Sequence, residues 1–258
     1  MATLFQTTGI VLGWRPYREH DRWYSALTKD RGKIDFLARG GQKQLAKLTP
    51  HLETVSEANF LFVNGRLYHT VAGVERLQSF PNIYENLSKM LLLKNALSLI
   101  NMGTRQQEQD PNLYELLLNW LGYINNLEDI SKDRAGFLLG SFTLKFMGII
   151  GYRPELSQCL SCRKSIESNT FKWHALKGGV VCTDCTIKND QQWFAAKPLS
   201  DGALKILRFA LIRPFSDQTK PFLKGEDLQE FHTALESLII SHFPTIPASS
   251  IKEACAYC

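Results

Sequence analysis

Six cysteines stand in the last hundred residues of a 258-residue chain, arranged as three C-x-x-C pairs. Cys159-Leu-Ser-Cys162 and Cys182-Thr-Asp-Cys185 are separated by nineteen residues. Each pair sets two thiolates on one side of a tight turn, and two such turns complete a tetrahedron around one Zn2+. Between them, Phe171 to Trp173, a Lys177-Gly178-Gly179 turn and Val180-Val181 read as a hairpin that brings the pairs together. Inert or disulfide-bonded thiols are the competing reading, and a cytosolic setting argues against persistent disulfides. Four thiolates close the coordination sphere, so the expected metal is structural. His174 lies between the knuckles and is an alternative ligand that nothing requires. The third pair, Cys255-Ala-Tyr-Cys258, could bind metal or act as a redox dithiol, but a chain end is a poor scaffold for either, and the pair is left unassigned.

Residues of other chemistry are sparse. No phosphate-cradling glycine loop, dinucleotide fingerprint, nucleophile elbow or H-E-x-x-H occurs, and no H-x-E accompanies a P-C-x-x-C to make a zinc deaminase. Glu19-His20-Asp21 is the densest acid/base cluster, but neighbours on a strand or turn point in different directions. His20, His51 and His69 lack metal-ligand spacing. The chain reads as a protein without catalytic residues.

The elements that would position the cysteines fall into two kinds. Up to residue 80, short β-rich runs (TLFQTTGIVLGW, DRWYSALT, KIDFLAR, LETVSEANFLFV, RLYHTVAGVERL) alternate with polar turns. In KIDFLAR, Ile34, Phe36 and Ala38 alternate with charged residues, and Asn64-Gly65 is a hairpin signal of the type I′ kind. About five strands in roughly eighty residues suit an OB-type or a small SH3-like barrel. From residue 81 the period lengthens to that of helices. Asp110 caps a helix with Pro111 at its first position, Gly151 suits the left-handed cap of the next, and Ser200 caps another. The expected fold is α+β, with a barrel domain over 1–80 and a helical domain over 81–258 that carries the zinc element at about 157–188.

Charge is uneven along this frame. Net charge is +5 for the whole chain. Residues 15–47 alone hold nine Lys/Arg (Arg15, Arg18, Arg22, Lys29, Arg31, Lys33, Arg39, Lys43, Lys47) against four acids, the same excess. Aromatic residues interleave with these cations, which suggests a polyanion-facing surface; a solvated face balanced by neighbours is the bland alternative. The first residues have no basic segment ahead of an apolar core, and FLLGSFTLKFMGIIGY is interrupted by Lys145, so a soluble, cytoplasmic protein without membrane contact is expected.

Two stretches, GIVLGWRPYREHDRWYSALTKDRGKIDFLARGG and FMGIIGYRPELSQCLSC, in this order and with the two-knuckle insertion between helices, strongly resemble the RecO family of bacterial recombination mediators. The most specific matches are Arg18-Glu19-His20-Asp21, Leu27-Thr28, Gly32-Lys33, Ala38-Arg39-Gly40 and Gly151-Tyr152-Arg153-Pro154. Here Gly41 and Gln42 precede Lys43, where the family often has more basic residues. The resemblance implies an N-terminal OB-fold, a helical domain and one structural Zn2+ on Cys159, Cys162, Cys182 and Cys185. It implies binding to single- and double-stranded DNA, annealing of complementary strands, and RecR as partner. It also implies contact with the acidic, apolar tail of single-stranded DNA-binding protein, and with RecA indirectly, by a chain that is monomeric when free. The nine cations named above are the expected phosphate contacts, and Trp14, Tyr17 and Tyr24 the stacking candidates; for Tyr24 and Phe36 barrel core is the preferred reading. A zinc-ribbon RNA-binding factor and a protein-interaction scaffold are the alternatives.

Overall fold

In a computed structural model of the chain, the described residues are 3–43, 46–53, 55–128, 130–218 and 225–243. They form two compact units that divide between Leu127 and Glu128. Cys255 and Cys258 lie outside the described residues.

The first unit is built on five strands, β1 (Thr3–Tyr17), β2 (Asp21–Thr28), β3 (Gly32–Ala38), β4 (Ser56–Asn64) and β5 (His69–Ser79), closed in the order β1-β2-β3-β5-β4. All pairings are antiparallel except β3 with β5, a short parallel seam of Phe36 on His69 and Leu37 on Thr70. That order, with its parallel seam, is the OB-fold and not the SH3-like alternative. Period-2 alternation fills it: Tyr24, Ile34, Phe36, Phe60, Phe62 and Val71 point inward, and Ala26, Ala38 and Ala58 make room for the rings. Tyr24 stacks on Phe36 at 5.5 Å, and Phe60 on Phe62 at 5.6 Å.

Three details differ from the sequence pattern. β1 continues through Arg15-Pro16-Tyr17, read above as a turn. Proline is tolerated there because β4 pairs only as far as Ile10, leaving the rest of β1 bonded on one edge. Residues 49–53 form a one-turn helix, α1 (Thr49–Glu53), across the end of a stretch that reads as a turn and the first two residues of the run that reads as a strand; Pro50 suits a first helical turn. The β4–β5 hairpin forms, but its loop spans 65–68, closed by the Gly65 N–H on the Tyr68 carbonyl at 3.2 Å, so it is not a two-residue turn.

Helices α2 (Leu87–Gly103) and α3 (Pro111–Asn126) complete this unit. Asp110 accepts from the N–H groups of Asn112 and Leu113, as a capping aspartate should. The Lys33 ammonium donates to the Asn101 carbonyl at 2.6 Å, tying β3 to the end of α2. The Tyr114 hydroxyl donates to Glu57 at 2.7 Å, tying α3 to β4. Buried Lys89 donates to the carbonyls of Asn125 and Leu127 at the end of α3, where the helix dipole favours a cation.

The second unit packs α4 (Lys132–Ile149), α7 (Asp201–Ile212) and α8 (Gly225–His242) against one another around Phe142, Phe146, Leu207, Phe231 and Leu235. Gly151, at φ +96°, ends α4, and the Tyr152 N–H returns to the Met147 carbonyl at 2.8 Å, the Schellman pattern. Ser200 caps α7 by accepting from Ala203 N–H at 3.1 Å. Between α4 and α7 lie the hairpin β6 (Phe171–His174) and β7 (Gly179–Cys182) and the short helices α5 (Thr183–Lys188) and α6 (Asp190–Trp193). Side chains of the bundle fasten this insertion, and Asp201 of α7 accepts the Asn169 N–H at 3.0 Å. Trp173 Nε1 donates to Ser237 Oγ at 3.0 Å, and the Arg208 guanidinium holds the Leu156 carbonyl at 2.6 and 2.9 Å. Among the described residues no helix is long and apolar enough to cross a membrane.

Candidate metal centre and nucleic-acid interface

The β6–β7 hairpin brings the two cysteine pairs together. Chain entering the first knuckle adds to β7 as a short parallel rung: the Val180 N–H donates to the Glu155 carbonyl at 3.0 Å and Leu160 N–H to Val180 at 2.9 Å. Arg163, in the left-handed region at φ 61°, then closes the Cys159–Cys162 turn by donating to the Cys159 carbonyl. Cys182 ends β7 and begins α5, which carries Cys185. All four sulfur atoms lie within 4.8 Å of one another. Cys162 and Cys182 are 3.8 Å apart, the separation of two thiolates on one tetrahedral zinc with bonds of about 2.3 Å.

Electrostatics favour anionic sulfur at Cys159, whereas burial pushes the neighbouring Cys182 thiol up. Burial alone raises the Cys159 thiol, but the N–H groups of Cys182, Cys162 and Ser161 outweigh it and bring the pKa down to about 6. Two of those contacts are direct, at 3.3 Å from Cys182 and 3.4 Å from Ser161. Val181 and Trp193 wall the sulfurs from one side. His174 instead accepts the Lys177 N–H at Nδ1 and packs edge-on to Trp193. The donor set is therefore four cysteines, soft ligands in a closed shell that fits zinc and offers structure, not reactivity.

In the first unit, the nine cations separate into two groups. Arg18, at φ 52°, forms the tip of the β1–β2 hairpin, and the register places Arg15 opposite Trp23 and Arg22 opposite Ala38. The segment after β3 folds onto this tip. Asp21 accepts the Gly40 N–H at 2.7 Å, Gln42 N–H reaches the His20 carbonyl at 2.8 Å, and the Gln42 amide reaches the Asp21 carbonyl at 2.7 Å. These bonds bring the backbone that carries Arg39 and Lys43 to the Arg18 tip. The register sets Arg15 and Arg22 on opposite faces of the β1–β2 ladder at the same end. The Thr49 hydroxyl on the Gly41 carbonyl returns the chain to the same end just after Lys47. Asp21 is thus a fastener of this loop, not an acid/base partner of His20.

Lys29 and Arg31 lie in the β2–β3 turn at the other end of β2, about 23 Å away at ~3.3 Å per residue. Asp30 between them accepts from Thr7, and Arg31 lies over the Phe5 ring at 4.4 Å. Lys33 is spent on the Asn101 carbonyl; burial lowers its pKa, with Asp35 opposing.

Aromatic placement is equally divided. Tyr24 and Phe36 are barrel core. Trp14 is 46% exposed, with the Arg22 guanidinium 3.9 Å above its ring. Tyr17 touches Trp23 at 5.5 Å, and Trp23 touches Tyr68 at 5.7 Å, making a three-ring file on the outside of the barrel. Trp23 and Tyr68 were not among the sequence candidates. The alternation in DRWYSALT could have singled out Trp23, since a buried Tyr24 sends its neighbour outward.

Family models match both parts of the chain: Recombination protein O N terminal over residues 1–80, and Recombination protein O C terminal over residues 84–247. The chain belongs to the recombination protein O family. It is 28% identical over 235 residues to the DNA repair protein RecO of Dehalococcoides mccartyi, covering 91% of this chain and 89% of that one. Against the DNA repair protein RecO of Alkaliphilus metalliredigens identity is 29% over 251 residues, 97% of this chain and 98% of the relative. That of Bacillus pumilus is 29% identical over 227 residues, 86% and 84% of the two chains. Family membership puts the protein among those of DNA repair and recombination.

Proposed function

We propose that the protein is a recombination mediator that binds single- and double-stranded DNA and anneals complementary strands. With RecR it helps load RecA onto DNA coated by single-stranded DNA-binding protein, whose acidic, apolar tail it contacts. Such work breaks no covalent bond: it requires phosphates to be neutralised while bases stay available for pairing. The observation that carries the reading is the cluster of Arg15, Arg18, Arg22, Arg39 and Lys43 at one end of an OB barrel, held by the bonds of Gly40 and Gln42 to the β1–β2 tip. OB barrels commonly bind oligonucleotides with this strand face and its loops. One Zn2+ on Cys159, Cys162, Cys182 and Cys185 would hold the insertion of the second unit in shape. The working compartment is the cytoplasm, where the DNA is.

The test is annealing of complementary oligonucleotides, bare and coated with single-stranded DNA-binding protein, with and without RecR, and with RNA as competitor. The expected result is faster annealing by the wild-type chain, lost when Arg18, Arg39 and Lys43 are changed to Ala. Preference for RNA over single-stranded DNA, or unaltered annealing by that variant, would overturn it.

A further inference from the structure

Beside the ring file, the first unit has a groove of about 240 Å³ whose lining includes Trp23, Tyr68, Asn64, Arg66, Gln106 and Gln107. Its volume is below the ~300–1,000 Å³ of pockets for drug-sized ligands, so it suits a single flat ring system. Trp23 and Tyr68 meet edge to face at 73° and form an aromatic wall. The amides of Asn64, Gln106 and Gln107 and the Asp35 carboxylate stand around it. Asp35 accepts from Ser25 at 2.6 Å and from the Gln106 amide, leaving the Gln106 carbonyl oxygen as an acceptor. Gln107, at φ 60°, is pinned by its N–H on the Lys33 carbonyl at 2.9 Å. His69 in the same lining has its pKa lowered by burial and then by Arg31, so it is uncharged at neutral pH. Cations lie at the margins: Arg66 in the 65–68 loop, Arg15 across from Trp23, and Arg18 at 5.2 Å over the Tyr17 ring.

An aromatic wall and amides inside, a carboxylate whose oxygens are taken by Ser25 and Gln106, and arginines outside match a nucleotide whose base enters and whose phosphates stay at the rim. We infer that the Trp23–Tyr68 groove takes an unpaired base of single-stranded DNA, with Tyr17 extending the stacking surface toward the basic end of the barrel. The inference rests on the reading of the protein as a DNA-binding mediator and assigns the single-strand preference to residues that carry no charge. Duplex DNA, its bases paired and stacked, does not enter the groove.

The experiment measures binding of the full chain to a short oligothymidylate, to the same oligomer with abasic sites replacing the bases, and to duplex DNA. Wild-type protein should bind the abasic oligomer about ten-fold more weakly than the intact one. Trp23→Ala and Tyr68→Ala should lose that discrimination, keep the wild-type salt dependence and bind duplex as before, while Trp23→Phe retains it. Thermal melts identify a variant that merely unfolds, and for such a variant the wild-type comparison of intact with abasic oligomer still decides. Equal binding of the two oligomers by the wild type would overturn the groove assignment while leaving phosphate-driven DNA binding standing. Absence of binding to any DNA would overturn the mediator reading itself.

Discussion

The division of the cations into two groups leads to a quantitative expectation. Each phosphate neutralised on a single strand contributes about 0.7 to the slope of log affinity against log salt. Six cations sit at the β1–β2 end, so a strand that meets them all gives a slope near −4 on that scale. Changing Arg18, Arg39, Lys43 and Lys47 to Ala spares Arg22, which covers Trp14 and abuts Gly41, and should flatten the slope by about 3. Changing Lys29 and Arg31 at the far end should leave it within about 0.7 of wild type. Fluorescence anisotropy of a labelled oligonucleotide across a salt series reads this directly. The slope is the informative quantity, because a partly misfolded variant loses active fraction without changing it. Equal flattening by the two sets of substitutions would refute the argument, since it requires the strand to run along β2 and engage both ends. An unchanged slope in the four-residue variant would remove the phosphates from this unit.

Three further outcomes are expected. Cys159→Ser should reduce bound zinc, measured by atomic emission on purified protein, and lower the melting temperature; unchanged zinc stoichiometry would contradict the four-thiolate centre. Gly32→Ala should destabilise the chain by about 2 kcal/mol or more in urea denaturation, because φ is +65° and the added carbon would lie 2.2 Å from the Glu108 carbonyl oxygen; a smaller loss would mean that the 104–110 segment yields easily. Lys145 has its pKa lowered to about 8, first by burial and then by Arg153. The unfolded chain therefore binds that proton more tightly, and stability should rise as pH climbs from about 8 toward 10.5. Lys145→Met should reduce that rise by on the order of 1 kcal/mol once solvent screening of a part-exposed ammonium is allowed for, leaving the smaller share of Lys33; an unchanged rise in that variant would contradict it.

Local chemistry was legible in the sequence wherever one residue decides its own geometry. Asp110 and Ser200 cap helices because their side chains reach N–H groups two or three residues on, and Gly151 ends α4 because its φ is positive. The cysteine pairs declared themselves by spacing. What stayed hidden depends on partners distant in the chain. Arg15, Lys29 and Lys33 look alike as letters, yet register sends the first to one end of the barrel and the second to the other, and Asn101 claims the third. Tyr68 joins Trp23 only because the hairpin loop is longer than Asn64-Gly65 suggests, and no periodicity spans the 45 positions between them.

In the proposed role, the same geometry would let one small barrel hold DNA without hiding it. A protein that anneals strands must reduce phosphate repulsion yet leave Watson–Crick edges free, so the two tasks need separate surfaces. Cations at the β1–β2 end would supply the first, with an affinity that weakens with salt. A groove large enough for one ring system would secure one base by stacking, which salt does not weaken, and leave the neighbouring bases exposed to a complementary strand. Moving all the cations onto the ring face would raise affinity for single strands and cost annealing, because bound bases would have to be stripped off before they could pair. Leu67→Arg, at an exposed position in the lining of the groove, tests this: tighter binding with slower annealing is the expected pair of changes, and tighter binding with faster annealing would show that the surfaces need not be separate.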